Sequence, residues 1–169
     1  MTESGRATEE TYWHLHPLRV RYQETDQMAV VFHANYVNWF EIGRTELVRH
    51  LGMPYGEIEK RGLLLPVVDL ACKYILPARY DDRIIVCTSV EKYSTVRIAF
   101  RSEVRRVADD ETVPVEWKGD EPPGELLVKG GTQHVWVDAN WRPQRLDKVL
   151  PELYDIIQLV AGGNEKGGS

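Results

Sequence analysis

Residues 24–40 read ETDQMAVVFHANYVNWF, and the change of character inside this stretch decides the fold. Its first half is a short polar turn around Asp26. Its second half begins at His33 and takes on helical spacing. Tyr36, Phe40, Gly43, Leu47 and Leu51 recur at three- and four-residue steps and form one apolar stripe, which Trp39 and Val48 widen. Glu41, Arg44, Glu46 and Arg49 fall largely off that stripe. Gly52 suits the C-terminal cap and Pro54 prevents continuation. A long helix that is apolar on one broad side belongs against a sheet.

Working outward, residues 18–22 alternate strictly and predict a half-buried strand, with a turn through 23–27. His14 and His16 lie beside that strand. No third ligand is spaced to join them, so they do not read as a metal pair. Residues 55–61 suggest a short helical turn, and 63–75 form an apolar run interrupted by Pro66. A turn at 77–82 leads into 83–93, with Ile84, Val86, Thr88 and Val90 on one face. After a hairpin at Ser94, residues 95–107 set Val96, Ile98, Phe100 and Val104 against Arg97, Arg101, Glu103 and Arg105. Residues 108–125 are rich in Asp, Glu and Pro. They read as an exposed acidic hairpin loop in which Trp117 has no assigned role. A strand at 126–138, with a bulge expected at Gly130 and Gly131, and a helix at 147–160 complete the pattern. Strands segregated from one main helix, joined by short connections, imply an α+β domain with an antiparallel sheet. That domain is expected over 12–160, between loose ends at 1–11 and 161–169.

Composition narrows the function. The 169 residues, 43% hydrophobic and 28% charged, suit one ordinary domain with a real core. A net charge of -5 argues against a nucleic-acid binder that depends on phosphate contacts. The two cysteines, Cys72 and Cys87, sit in apolar strand-like runs and read as buried free thiols. With no apolar leader in view, the expected compartment is the cytoplasm. No apolar run approaches the roughly 20 residues that span a bilayer. The G-x-S-x-G elbow, the G-x-G-x-x-G and P-loop phosphate cradles, C-x-x-C and H-E-x-x-H are all absent.

What remains is Asp26 and His33. On spacing alone, Asp26 reads as a turn acid bonded to backbone amides. His33 reads as a residue of the helix start, and Glu24 as solvated. A family resemblance adds to this. The stretch RVRYQETDQMAVVFHANYVNWFEIGRTELVRHLG resembles bacterial acyl-CoA thioesterases related to 4-hydroxybenzoyl-CoA thioesterase. The shared pattern is Tyr22, Thr25-Asp26, a small turn, His33-Ala34-Asn35-Tyr36, Phe40-Glu41 and Arg44. LLLPVVDLACKYILPARYDDRIIV looks like the family's next two strands, and the likeness covers about 18–137 apart from the acidic loop.

The resemblance implies the hot-dog fold, a long helix wrapped by a curved antiparallel sheet. It implies a homodimer with continuous sheets, often paired into a homotetramer, and a site between subunits. Asp26 then looks like the catalytic carboxylate, nucleophile or general base, with Tyr22 and His33 as companions and a backbone N–H near His33 polarising the carbonyl. The substrate is an acyl-CoA, or a thioester of acyl carrier protein, and water cleaves it with no metal or other cofactor. Lys92, Arg97, Arg101 and Arg105 are available cations for CoA phosphates, and Pro66 and Val67 can line the acyl site. The chain departs from the family pattern at Met28-Ala29, where many relatives carry glycine, and at Phe32, where a tyrosine is common. A hydratase or dehydratase on the same scaffold, or a non-enzymatic acyl-CoA binding module, are the rival readings.

Overall fold

The computed structural model describes residues 10–162. The loose ends expected at 1–11 and 161–169 fall outside that range, apart from the two residues at each inner margin. Helix α1 (His33–His50) is the axis of the fold, and its apolar stripe is the one the periodicity predicts. Tyr36, Trp39, Phe40, Gly43, Leu47 and Val48 are all buried. At Gly43 an added Cβ would lie 2.6 Å from Val86 Cγ1, so the helix rests on the sheet more closely than any side chain permits. Arg44 departs from expectation. It is buried beside Glu41, and its Nη1 donates to the Tyr55 hydroxyl at 2.9 Å. That bond braces α1 against α2 (Tyr55–Lys60).

The strands are β1 (Tyr12–Arg19), β2 (Val67–Tyr74), β3 (Arg83–Tyr93), β4 (Arg97–Arg106), β5 (Glu116–Lys118) and β6 (Glu125–Val135). They form one six-stranded sheet in the order β2-β6-β4-β3-β1-β5, with every pair antiparallel. The α+β expectation therefore holds. Alternation along β3 sorts the core. Ile84 and Val86 pack with Tyr36, Trp39 and Phe40 on the helix side. Ile85 and Cys87 face the other way and join Trp13, Leu15 and Val107. The far end of α1, with Leu47 and Val48, meets Phe100, Trp136 and the C-terminal helix residues Leu153 and Ile157. Proline divides that terminal helix into α3 (Leu146–Val149) and α4 (Pro151–Ala161), because Pro151 lacks the N–H needed inside a helix and suits its first position.

Four local expectations change. The first strand ends at Arg19, opposite the first residue of β3, so its ladder runs out there and Tyr22 falls on a 3-10 turn (Tyr22–Glu24). Residues 108–125 are more than an exposed loop. They include β5, where Trp117 pairs opposite Trp13 and packs against the outer cluster with Val113. Glu103 and Arg105 are consequently buried as a pair at 3.3 Å, and Arg105 also donates to the Gly124 carbonyl at 3.0 Å. Arg101 lies over the Trp13 ring at 5.0 Å. The expected bulge at Gly130 and Gly131 is also absent. Both glycines sit in regular register with β2 and β4, and the shift in β6 comes instead opposite Val104/Arg105. A Cβ at either glycine would run into the carbonyl of Ala71 or Phe100, so the pair serves close backbone approach.

One feature of the sheet positions the site. Strand β2 is an edge, paired on one side by β6, and Val67, Val68, Leu70 and Tyr74 along it are all exposed. An apolar, unpaired edge of this kind is a template for another strand.

Candidate active site

Asp26 sits in a miniature hairpin closed by an antiparallel bridge between Thr25 and Val31. The Asp26 N–H donates to the Val30 carbonyl at 2.9 Å, and its own carbonyl accepts from the Ala29 N–H at 3.0 Å. Carboxylate Oδ1 accepts from the Met28 N–H at 2.8 Å, an Asx turn in which short polar side chains fold back on the chain. Among the described residues no group donates to Oδ2. So the bland role of a turn acid is real, and it occupies one of the two oxygens. Ala29 closes the turn with φ at 60°, a left-handed conformation that glycine adopts without strain.

His33 opens α1, with Phe32 at the cap position and no side chain capping the helix. Its ring lies against Phe32, with centroids 4.4 Å apart, and its carbonyl accepts from the Tyr74 hydroxyl at 2.8 Å. Desolvation, then the hydrogen bond with Cys72, pushes the Tyr74 phenol up to about 12, so it stays a donor at neutral pH. The Phe32 N–H is taken by the Glu24 carbonyl and the Asn35 N–H by the Phe32 carbonyl. Among the described residues no carbonyl takes the N–H of His33 or Ala34. These are the open donors at the positive end of the helix dipole.

Asp26 and His33 line one cavity of about 250 Å³. Its remaining wall is mostly apolar: Met28, Val30, Val31, Tyr36, Tyr74 and the run from Ile75 to Pro77. The structure thus brings a carboxylate with a free oxygen together with His33, its imidazole and its unpaired N–H, in the lining of one apolar recess. Tyr22 is not part of this wall. It is 76% exposed, and its ring meets Tyr80 edge-on at 5.7 Å.

The other predicted residues gather elsewhere. Pro66 and Val67 lie at the opposite end of β2, roughly 23 Å from Tyr74 at about 3.3 Å per residue. Lys92 and Arg97 line a second cavity of about 310 Å³ at the β3–β4 hairpin, with Gln133 and His134. His134 is the residue opposite Val67, and Gln133 is opposite Asp69. Within one chain the predicted site is therefore split between the two ends of β2. Glu24, read as solvated from sequence, is 7% exposed, and its Oε2 accepts from the buried Trp39 Nε1 at 2.8 Å. Arg101 and Arg105 are tied to Trp13 and Glu103.

The architecture is that of a hot-dog fold, and comparison with known proteins agrees. A family model described as the thioesterase superfamily matches residues 28–113. The chain belongs to the thioesterase superfamily, a class of thioester hydrolases. It is 35% identical to a putative acyl-CoA thioesterase, YneP, of Bacillus subtilis over 80% of this chain and 88% of that protein. It is 31% identical to the chloroplastic acyl-acyl carrier protein thioesterase ATL2 of Arabidopsis thaliana, over 76% of this chain but only 61% of the plant protein. Among solved structures, the DHNA-CoA thioesterase of Staphylococcus aureus superimposes with a TM-score of 0.75. It is 31% identical, over 88% of this chain and 90% of that one.

Proposed function

We propose that this chain hydrolyses acyl-CoA thioesters to the free acid and CoA, with Asp26 as the catalytic carboxylate. The observation that carries this reading is the unpartnered Oδ2 of Asp26 in a recess also lined by His33, the first residue of α1, whose N–H is open. The acyl group lies against Met28, Val30 and Tyr74, and the thioester oxygen takes the helix N–H donors. Negative charge grows on that oxygen as the carbon is attacked, and each such donor is worth roughly 3 kcal/mol. Asp26 either attacks the carbon itself or takes a proton from the attacking water, and His33 orients the thioester or relays the proton to the leaving thiolate. Both routes use only water and need no metal or cofactor beyond the CoA of the substrate. Tyr22, expected as a companion of Asp26, lies outside the lining of this recess and carries no step here.

The site is completed by a second copy of the chain. Antiparallel two-fold pairing of β2 with its symmetry mate sets the Tyr74 end of one strand beside the Val67 end of the other. That brings Pro66, Val67, Lys92 and Arg97 of the partner subunit to the Asp26 recess, with the two cations placed for CoA phosphates. It also covers the exposed apolar edge. Two such dimers can pair into a tetramer without changing this site. Free Cys72 and Cys87 fit a reducing cytoplasm, and among the described residues no helix is long and apolar enough to cross a membrane.

Thiol release over a panel of acyl-CoA and acyl carrier protein thioesters, with Asp26→Asn beside the parent, tests the reading. Asparagine keeps the acceptor for the Met28 N–H and removes the charge. Unchanged turnover in the folded variant overturns the assignment, and hydration of crotonyl-CoA without thiol release replaces it with a hydratase. Single turnover in ¹⁸O-labelled water separates the two routes, since a nucleophilic Asp26 retains label in its own carboxylate.

A further inference from the structure

We infer that Glu24 is a positioning residue for Asp26, a role that rests on the thioesterase reading above. Glu24 is an unusual buried charge. Glu103 and Arg105, by contrast, are buried together. Glu24 is 7% exposed, yet its one ionic partner among the described residues, Arg21 at 3.4 Å, has a side chain that is 68% exposed. A carboxylate held inside a fold without a buried cation is costly unless N–H groups satisfy it. Here they do, on both oxygens: Oε1 accepts from the Arg21 N–H at 2.8 Å and Oε2 from Trp39 Nε1 at 2.8 Å. Its backbone carbonyl accepts twice more, from the Phe32 N–H at 2.9 Å and from Asn35 Nδ2 at 2.8 Å.

The consequence is geometric. Asp26 belongs to one body, the hairpin closed by Thr25 and Val31. The open N–H groups of His33 and Ala34 belong to another, helix α1. The side-chain hydrogen bonds that α1 makes to residues 21–31 both end on Glu24. Glu24 therefore sets the distance between the attacking carboxylate and the oxyanion donors, and an error of about 1 Å in such a distance can cost about a hundredfold in rate. Hydrophobic packing of Val31 against α1 holds the two bodies together, but packing alone tolerates a slide that paired hydrogen bonds do not.

The test uses Glu24→Gln and Trp39→Phe, each alone and combined with Asp26→Asn, assayed for thiol release from butyryl-CoA and benzoyl-CoA. Glutamine can accept on one side only, and phenylalanine keeps an aromatic side chain, though a smaller one, while removing the donor. Each is expected to lower kcat about tenfold, with KM within about twofold. In the Asp26→Asn background the same changes should cost less than about twofold, because the group they position is already gone. Amide exchange over residues 25–32 should accelerate about tenfold, with β3 unchanged. Equal losses in both backgrounds, or unaltered exchange at 25–32, overturn the proposal. If the parent releases no thiol from any ester of the panel above, the thioesterase reading fails on its own, and the exchange rates alone decide whether Glu24 holds the hairpin. If Glu24→Gln does not fold, Trp39→Phe decides by the same readouts, since it leaves the carboxylate and its bond to Arg21 in place.

Discussion

The two ends of β2 are built from opposite materials. Around Tyr74 lie an acid, an imidazole and open N–H groups, all half-buried or exposed around an apolar recess. Around Val67 lie two exposed cations and a sealed histidine, His134, which is 1% exposed with Nε2 2.7 Å from the Thr132 hydroxyl. On the proposed reading, one end supplies the attacking carboxylate. The other can grip but has nothing to attack with. On that reading the two ends complete one site across two subunits, and the strand joining them is an edge of the sheet.

The comparison breaks most sharply by mutation at each end. Asp26→Asn at the Tyr74 end should cut kcat at least about 100-fold, the scale of losing a positioned acid–base group. Lys92→Ala and Arg97→Ala at the Val67 end should instead raise KM several-fold each and leave kcat within about twofold, as exposed phosphate contacts worth about 1 kcal/mol do. Steady-state kinetics on one acyl-CoA ester separates the patterns, and a kcat effect from the cations would dissolve the division of labour.

Subunit mixing sharpens it further. Val67→Asp, placed to spoil the gripping end, and Asp26→Asn should each be nearly inactive as pure proteins. Mixed after unfolding, they should recover about a quarter of parental activity, since about half the dimers are hybrids and each hybrid carries one intact site. No recovery, with hybrids verified by mass, would mean that each subunit works alone.

The sealed histidine predicts a pH effect. Burial, followed by the charge of Arg44, pulls His134 down to about 4, and burial does the same to His14. Both are neutral in the folded protein, whereas the unfolded chain takes up protons near 6.5. Their contribution is therefore complete above about pH 6.5 and is lost as the pH falls toward 4. For His134 this amounts to roughly 2–3 kcal/mol. Denaturant melts between pH 7 and 4.5 should show the loss, and His134→Gln should remove its share and leave that of His14.

How much of this could be read in advance depended on the range of the forces involved. The stripe on α1 is local, so its period announced the helix and its buried face. The alternation of residues 95–107 was equally clear, but it says which side a residue takes and not what covers that side. Arg105 therefore reads as an available cation for CoA phosphates, whereas the fold buries it against Glu103 and ties it to the Gly124 carbonyl. β5, at three residues, is too short to leave a pattern. Asp26 and His33 were found by motif, yet the helix geometry that makes them useful follows from local spacing too. Glu24 was missed because its decisive partner, Trp39, lies across the turn. A glutamate directly before a Thr-Asp turn gives no sign of burial. The run at 63–75 was visibly apolar, but that it forms an exposed edge is a property of sheet order, which no local pattern records.

The smallest effect concerns the turn that carries the acid. Ala29 holds φ at 60°, at about 1–2 kcal/mol for a residue with a Cβ. Glycine removes that strain but adds freedom to the unfolded chain, which offsets about 0.4–1 kcal/mol. Ala29→Gly should therefore stabilise the protein by about 0.5 kcal/mol and raise Tm by about 1–2 °C. Its methyl is exposed and outside the wall of the Asp26 recess, so KM should not move. A gain in kcat would mean that the methyl restrains the hairpin during turnover. A loss of stability would mean that the hydrogen bonds through Asp26 and Val30 already hold this turn so firmly that the entropy of the unfolded chain decides the balance.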